Sequence, residues 1–139
     1  MEIAYKNTLP EKDQFFDLFE STGWNEKYQL DADQLHQALR HSWYSVSAYD
    51  GDRLVGFGRA ISDGMLHALI AEMIILPGYQ SRGIGNRILK ELVTRCQSHG
   101  VRDIQLFCAR GKADFYEKRG FVKRPDDAPG MGIPYISPA

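Results

Sequence analysis

Long apolar runs are missing from this 139-residue chain: none approaches the ~18 residues that a membrane-spanning helix needs. The opening stretch MEIAYKNTLPEKD also lacks the basic segment and apolar block of a secretory leader, so a soluble, cytoplasmic protein is expected. Cysteine is scarce. Cys96 and Cys108 stand alone, too few for a disulfide framework or a thiolate metal site, and both read as small buried hydrophobes. A surplus of one charge is absent as well: with 17 Lys+Arg against 18 Asp+Glu the formal net charge is -1, and no chain-wide attraction to nucleic acid or to an anionic membrane follows. The four histidines, His36, His41, His67 and His99, have no metal-ligand spacing, and His36 and His41 stand about 140° apart around a helix. No metal is expected. Internal repeats and low-complexity tracts are missing too.

What is present fits a packed globule. Hydrophobic residues make up 43% and aromatics 12%, and the length closes one substantial core but is short for two, so a single domain over residues 1–139 is expected.

EIAYKN alternates as a first strand. In TLPE, Thr8 reads as an N-cap with Glu11 at N3 and Pro10 in the first turn, opening a helix that carries Phe15, Leu18 and Phe19 to about Ser21. Gly23 ends it, WNEKYQL follows as a connection, and Asp31 caps a second helix with Leu35, Ala38 and Leu39. Asp50-Gly51 and Asp63-Gly64 each sit between apolar runs, which predicts two strands in YSVSAYDGDRLVGFGRAIS and a third in MLHALIAEMIIL. The near-continuous apolar character of the third predicts a central strand covered on both faces. Ile84, Ile88, Leu89, Leu92, Val93 and Cys96 then form one helical face, stopped at Gly100. DIQLFCA, FVKR and MGIPYIS read as further strands, the last at an edge where Pro134 is tolerable, and KADFYEKR reads as a short helix. The order describes a mixed α/β sheet of six to seven strands flanked by about four helices.

YQSRGIG, residues 79–85, falls where the central strand gives way to the long helix. A helix N-terminus presents unpaired N–H groups and about half a positive charge, so it attracts anions, phosphates above all. Gly83 and Gly85 let the backbone approach such a ligand, and Arg82 adds a charged fork of donors. Two phosphate motifs fail here. No Lys-Ser or Lys-Thr follows either glycine, as a P-loop requires, and Ile88 stands where the dinucleotide fingerprint needs its third glycine.

Gln80-Ser81-Arg82-Gly83-Ile84-Gly85 resembles the [QR]-x-x-G-x-[GA] pyrophosphate loop of the GNAT superfamily of N-acetyltransferases. Ile75-Leu76-Pro77 before it and FYEKRGF, Phe115 to Phe121, after it resemble that family's strand end and its downstream signature. The resemblance implies that acetyl-CoA is the co-substrate, held by Gln80, Arg82, Gly83, Ile84, Gly85 and Asn86 at its pyrophosphate. It also implies that the backbone of Met73, Ile74 and Ile75 pairs with the pantetheine arm like an added strand. Tyr116 would supply a proton or hydrogen bond to the departing thiolate, a role suited to a phenol with a pKa of about 10. Where many members carry an asparagine, this chain has Arg110, so Arg110 or Lys112 would reach a phosphate instead.

A primary amine with a pKa near 10.4 must lose a proton before it attacks, at a cost of about 4.6 kcal/mol at pH 7. Glu72 is the only acid in the apolar central strand, and it reads either as the base for that step or as the partner of Arg59 on the neighbouring strand. Family members take their acceptor between the first two helices and near the C-terminal strands, which implies Trp24, Asn25, Tyr28 and Tyr135 as acceptor contacts, with Arg59 at the same side. The expected function is direct transfer of acetyl from acetyl-CoA to a primary amine of a small molecule, with no covalent enzyme intermediate. Two alternatives stand beside it: a non-catalytic acyl-CoA-binding sensor, and a transferase for protein lysines or N-termini. The expected partners are acetyl-CoA and an amine, with homodimerisation left open.

Overall fold

Strand pairing begins where the sequence places Asp-Gly. Gly51 (φ 60°) turns β2 (Tyr44–Asp50) into β3 (Arg53–Ser62), and Gly64 (φ 78°) turns β3 toward β4 (His67–Ile75), left-handed dihedrals that glycine adopts without a Cβ clash. With β1 (Ile3–Lys6) and β5 (Asp103–Leu106) the sheet runs β1-β2-β3-β4-β5, and the first three pairings are antiparallel. The computed structural model describes residues 2–136 and 138, which divide into two units, Met1–Gln105 and Leu106–Ala139.

In the first unit, helices cover both faces of the sheet. α1 (Lys12–Glu20) and α3 (Ala32–Arg40) press Phe15, Leu18, Phe19, Leu35 and Leu39 onto Leu54, Phe57 and Ile74, with Phe15 edge-on to Phe57 at 5.0 Å. α4 (Ile84–Ser98) packs on the opposite face through Ile84, Ile88, Leu89, Leu92 and Cys96. Two glycines of β3 make room for it. A Cβ on Gly56 would meet Ile84 Cγ2 at 3.2 Å and Ile88 Cδ1 at 3.3 Å, and one on Gly58 would meet Ile88 Cγ2 at 2.7 Å. α4 therefore lies close against β3 along a furrow without side chains.

α3 starts as expected. Asp31 accepts from the Gln34 N–H at 2.8 Å while the Gln34 side chain accepts from the Asp31 N–H at 2.9 Å, a complete capping box. α1 starts later than Thr8. Pro10 biases Leu9 away from helical dihedrals, so Glu11 becomes the N-cap, its carboxylate accepting from Asp13 N and Gln14 N. The connection WNEKYQL also contains a short helix, α2 (Asn25–Tyr28), closed by Gln29 at φ 57°.

Three further expectations are corrected. β4 has buried residues on both faces, Ile70 opposite Ala60 and Ile74 opposite Phe57, but Leu69, Ala71, Glu72, Met73 and Ile75 are only half-buried, so its cover is incomplete. β5 ends at Leu106, leaving Cys108 exposed, although Cys96 is buried as expected. No ladder forms at Phe121–Arg124 or over 131–136, and Ser137 lies outside the described residues. The described sheet thus has five strands rather than six to seven, with five α-helices and a 3-10 turn at Pro77–Tyr79. Alternation does not make a strand where no partner backbone is available, and Val122, Met131 and Ile133 in those segments lie open to solvent. The second unit contains α5 (Ala113–Glu117), ended by Gly120 at φ 96°. Among the described residues no helix is long and apolar enough to cross a membrane.

Candidate active site

β4 does not run straight to its end. Phe57 faces Ile74 and Arg59 faces Ala71, so Glu72 and Met73 together oppose the single residue Gly58, a β-bulge. Glu72 sits there at φ 49°, a left-handed conformation that costs a non-glycine residue about 1–2 kcal/mol. Gly58 is part of the same device: a Cβ on it would come within 2.6 Å of Met73 Sδ.

Glu72 and Arg59 are ion-paired. Arg59 Nε donates to Glu72 Oε1 at 2.6 Å, with side-chain exposures of 12% and 25%, and Arg59 Nη1 donates to Ala38 O at 2.8 Å and Ser42 Oγ at 3.4 Å. Of the two readings of Glu72 in the sequence, the partnership with Arg59 is therefore realised. Its other oxygen, Oε2, stands outside that pair.

Beyond the bulge the strand end and the glycine loop brace each other. The Gln80 amide donates to Ile75 O at 3.1 Å, so one of its donors faces the strand. Ser81 (φ 63°) and Gly83 (φ 85°) are both left-handed, and Gly83 is the N-cap of α4 with no side-chain cap. The first intrahelical bond runs from Arg87 N to Gly83 O, so the N–H groups of Ile84 and Gly85 come ahead of it in the same first turn as Asn86. A Cβ on Gly83 would meet nothing within 4 Å, which leaves open space at the cap. Arg82 lies over the Tyr79 ring at 5.6 Å, and the Tyr79 hydroxyl donates to Asp50 at 2.6 Å, anchoring the loop to the β2–β3 hairpin. No local signal in the sequence pairs Tyr79 with Asp50. Ile74 and Ile84 are buried, with their side chains in the core.

These features suit a diphosphate: helix N–H groups that precede the first intrahelical bond, a glycine with open space, and an arginine beside them.

On the helical side, Trp24 and Tyr28 are 39% and 43% exposed, and Trp24 stands edge-on to Phe19 at 6.0 Å. Asn25, by contrast, is buried, its side chain donating to Leu30 O at 2.8 Å and accepting from Leu30 N at 2.9 Å. Its amide is committed to closing the turn after α2, which no local sequence signal announces.

In the second unit Tyr116 lies on α5 between Phe115 and Phe121, ring centroids 5.0 Å and 5.9 Å away and both edge-on. Burial pushes its phenol above the usual value near 10, and the nearby Cys108 acts in the same direction. A phenol held protonated can donate. Arg110 and Lys112 are exposed in the turn leading into α5, and Tyr135 is half exposed.

The acetyltransferase (GNAT) domain family matches residues 13–137. Over 118 residues the chain is 33% identical to the uncharacterized N-acetyltransferase ycf52 of Porphyra purpurea, covering 82% of this chain and 66% of that protein. It is 32% identical over 105 residues to the chloroplastic serotonin N-acetyltransferase 2 of Oryza sativa subsp. japonica, covering 73% and 52%. Among solved structures, a GNAT family acetyltransferase from Streptococcus pneumoniae superposes with a TM-score of 0.78 at 27% identity, over 99% of this chain and 100% of that one. The chain belongs to the GNAT acetyltransferase family, with the α/β fold of that family. It spans 66% and 52% of the lengths of the two curated relatives.

Proposed function

We propose that the protein transfers the acetyl group of acetyl-CoA directly to a primary amine of a small molecule. The observation that carries this reading is the first turn of α4, where Gly83 caps the helix without a side chain, next to Arg82 and the bulged end of β4. The Ile84 and Gly85 N–H groups and Arg82 hold the diphosphate, and the β4 backbone from Met73 to Ile75 aligns the thioester-bearing arm.

The acceptor nitrogen attacks the thioester carbonyl carbon, the C–S bond breaks, and acetyl passes to nitrogen. Glu72 takes the proton that the amine sheds, through Oε2 or an intervening water, while Tyr116 donates to the departing sulfur. Residues of the chain thus position and manage protons, and none needs to become acylated. Trp24 and Tyr28 supply an aromatic wall for the acceptor, which suits an arylalkylamine; the serotonin acetyltransferase among the relatives supports that class. Asn25 is left out of the acceptor contacts because its amide is already engaged.

Thermal-shift titration tests the donor half. Acetyl-CoA at about a hundred times its Kd stabilises the folded state by about 2.7 kcal/mol, a clear rise in Tm. A panel of serotonin, a polyamine and a lysine-containing peptide, each added with acetyl-CoA while CoA thiol is followed, tests the acceptor half. Turnover with the peptide alone would favour the protein-acetylating alternative, and binding of acetyl-CoA without turnover on any amine would favour the sensor.

A further inference from the structure

We infer that Arg59 is a positioning residue for the acceptor half of the reaction, fixing the Glu72 carboxylate at the β4 bulge and tying that bulge to the end of α3. The inference rests on the transferase reading above, and it withdraws Arg59 from the set of residues that touch the acceptor.

A guanidinium is a planar fork of five donors, and here the fork works in two directions. Nε meets Glu72 Oε1 at 2.6 Å, while Nη1 reaches Ala38 O at 2.8 Å, in the last turn of α3, and Ser42 Oγ at 3.4 Å just beyond it. The carbonyl end of a helix favours a cation, so α3 fixes Arg59 and Arg59 fixes Glu72. The strand side is equally constrained. Gly58 admits the displaced Met73, and Glu72 takes the left-handed dihedral that the bulge demands.

Such an arrangement is a poor device for stability alone. A half-buried ion pair is frequently no better than apolar residues of the same volume, and a glutamate is an awkward choice at a positive φ. It is, however, an effective way to aim one carboxylate oxygen: with Oε1 fixed by Arg59 and the backbone fixed by the bulge, Oε2 has a set direction. Lysine could not replace the fork, because a single ammonium cannot meet Glu72 with the same geometry and also bridge Ala38 and Ser42.

The test is steady-state kinetics on the full chain with the fastest acceptor of the amine panel, alongside calorimetric binding of acetyl-CoA. Arg59→Gln should lower kcat by about tenfold to a hundredfold while acetyl-CoA affinity stays within about twofold. Arg59→Lys should recover part of that loss. In a Glu72→Gln background, Arg59→Gln should cost less than about twofold more, because the two residues act as one unit. Equal losses in both backgrounds, or an acetyl-CoA affinity that falls in step with kcat, would overturn the inference. If Arg59→Gln does not fold, Arg59→Lys decides alone: kcat equal to that of the unmodified chain overturns the inference, and a drop of about threefold or more at unchanged acetyl-CoA affinity supports it. Full activity of Glu72→Gln would remove the role of the carboxylate and this inference with it, leaving the acetyl-CoA reading in place. Failure of the unmodified chain to bind acetyl-CoA or to acetylate any amine would defeat the transferase reading itself.

Discussion

Replacing Gly58 by alanine places a methyl group where three side chains already stand. The added Cβ would lie 2.6 Å from Met73 Sδ, 2.7 Å from Ile88 Cγ2 and 3.1 Å from Leu92 Cδ1. Two of those separations are shorter than carbon and sulfur atoms tolerate, so α4 must lift, or Met73 must leave its place at the bulge. Overpacking of this kind costs about 1–3 kcal/mol, and with two contacts this close the upper part of that range, ~2–3 kcal/mol, is expected. For 139 residues the unfolding entropy is about 0.29 kcal/mol/K, so Tm should fall by roughly 7–10 °C. Gly78→Ala is the matched control. Its Cβ would meet nothing within 4 Å and its φ is not left-handed, so its stability should stay within about 0.5 kcal/mol of the unmodified chain. Urea unfolding and calorimetry of both variants give the comparison. A Gly58→Ala protein within about 0.5 kcal/mol of the unmodified chain would refute the view that α4 and the bulge require a bare backbone on β3.

Gly83→Ala keeps open space around the new methyl group but forces alanine to φ 85°, so it should cost about 1–2 kcal/mol and weaken acetyl-CoA binding about tenfold in calorimetry. Tyr116 should titrate above about pH 10, because burial disfavours its phenolate; the phenol's contribution to stability is complete below about pH 10 and is lost as pH rises through the higher folded value. Phenolate absorbance should therefore show a step above about pH 10 that Tyr116→Phe lacks, and the same variant should lose roughly a hundredfold in kcat. Asp63 accepts backbone bonds from Met65, Leu66 and His67, the first two at 2.8 and 2.7 Å, and these bonds hold its carboxyl below the usual range. The contribution is present above about pH 4 and lost as pH falls through the lower folded value, so the stability gap to Asp63→Asn in urea should close on acidification.

Much of the fold was legible because its signals are local. The Asp50-Gly51 and Asp63-Gly64 turns, the Asp31 N-cap and the apolar face of α4 each depend on residues close together along the chain. The glycine loop was legible for the same reason. The bulge was not, since it depends on register: Glu72 and Met73 share one partner only because Gly58 lies opposite, and nothing in MLHALIAEMIIL says so. A trace existed in Gly56 and Gly58, spaced two apart in an apolar strand, a pattern that marks close approach of another element. Asn25 and Tyr79 show the opposite difficulty. In the sequence Asn25 reads as an acceptor contact and Tyr79 only as the first residue of the glycine loop, and their hydrogen-bonding roles appear only when Leu30 and Asp50 are brought to them. The missing C-terminal strands follow from reading alternation without a partner strand, in a stretch interrupted by Pro125 and Pro134.

Mass spectrometry of a reaction containing the protein, acetyl-CoA and the amine panel tests the central claim most directly. The account predicts an N-acetylated amine formed one-for-one with free CoA thiol, and loss of both products together in Glu72→Gln and Tyr116→Phe. CoA release without an acetylated amine, or a rate untouched in both variants, would contradict it.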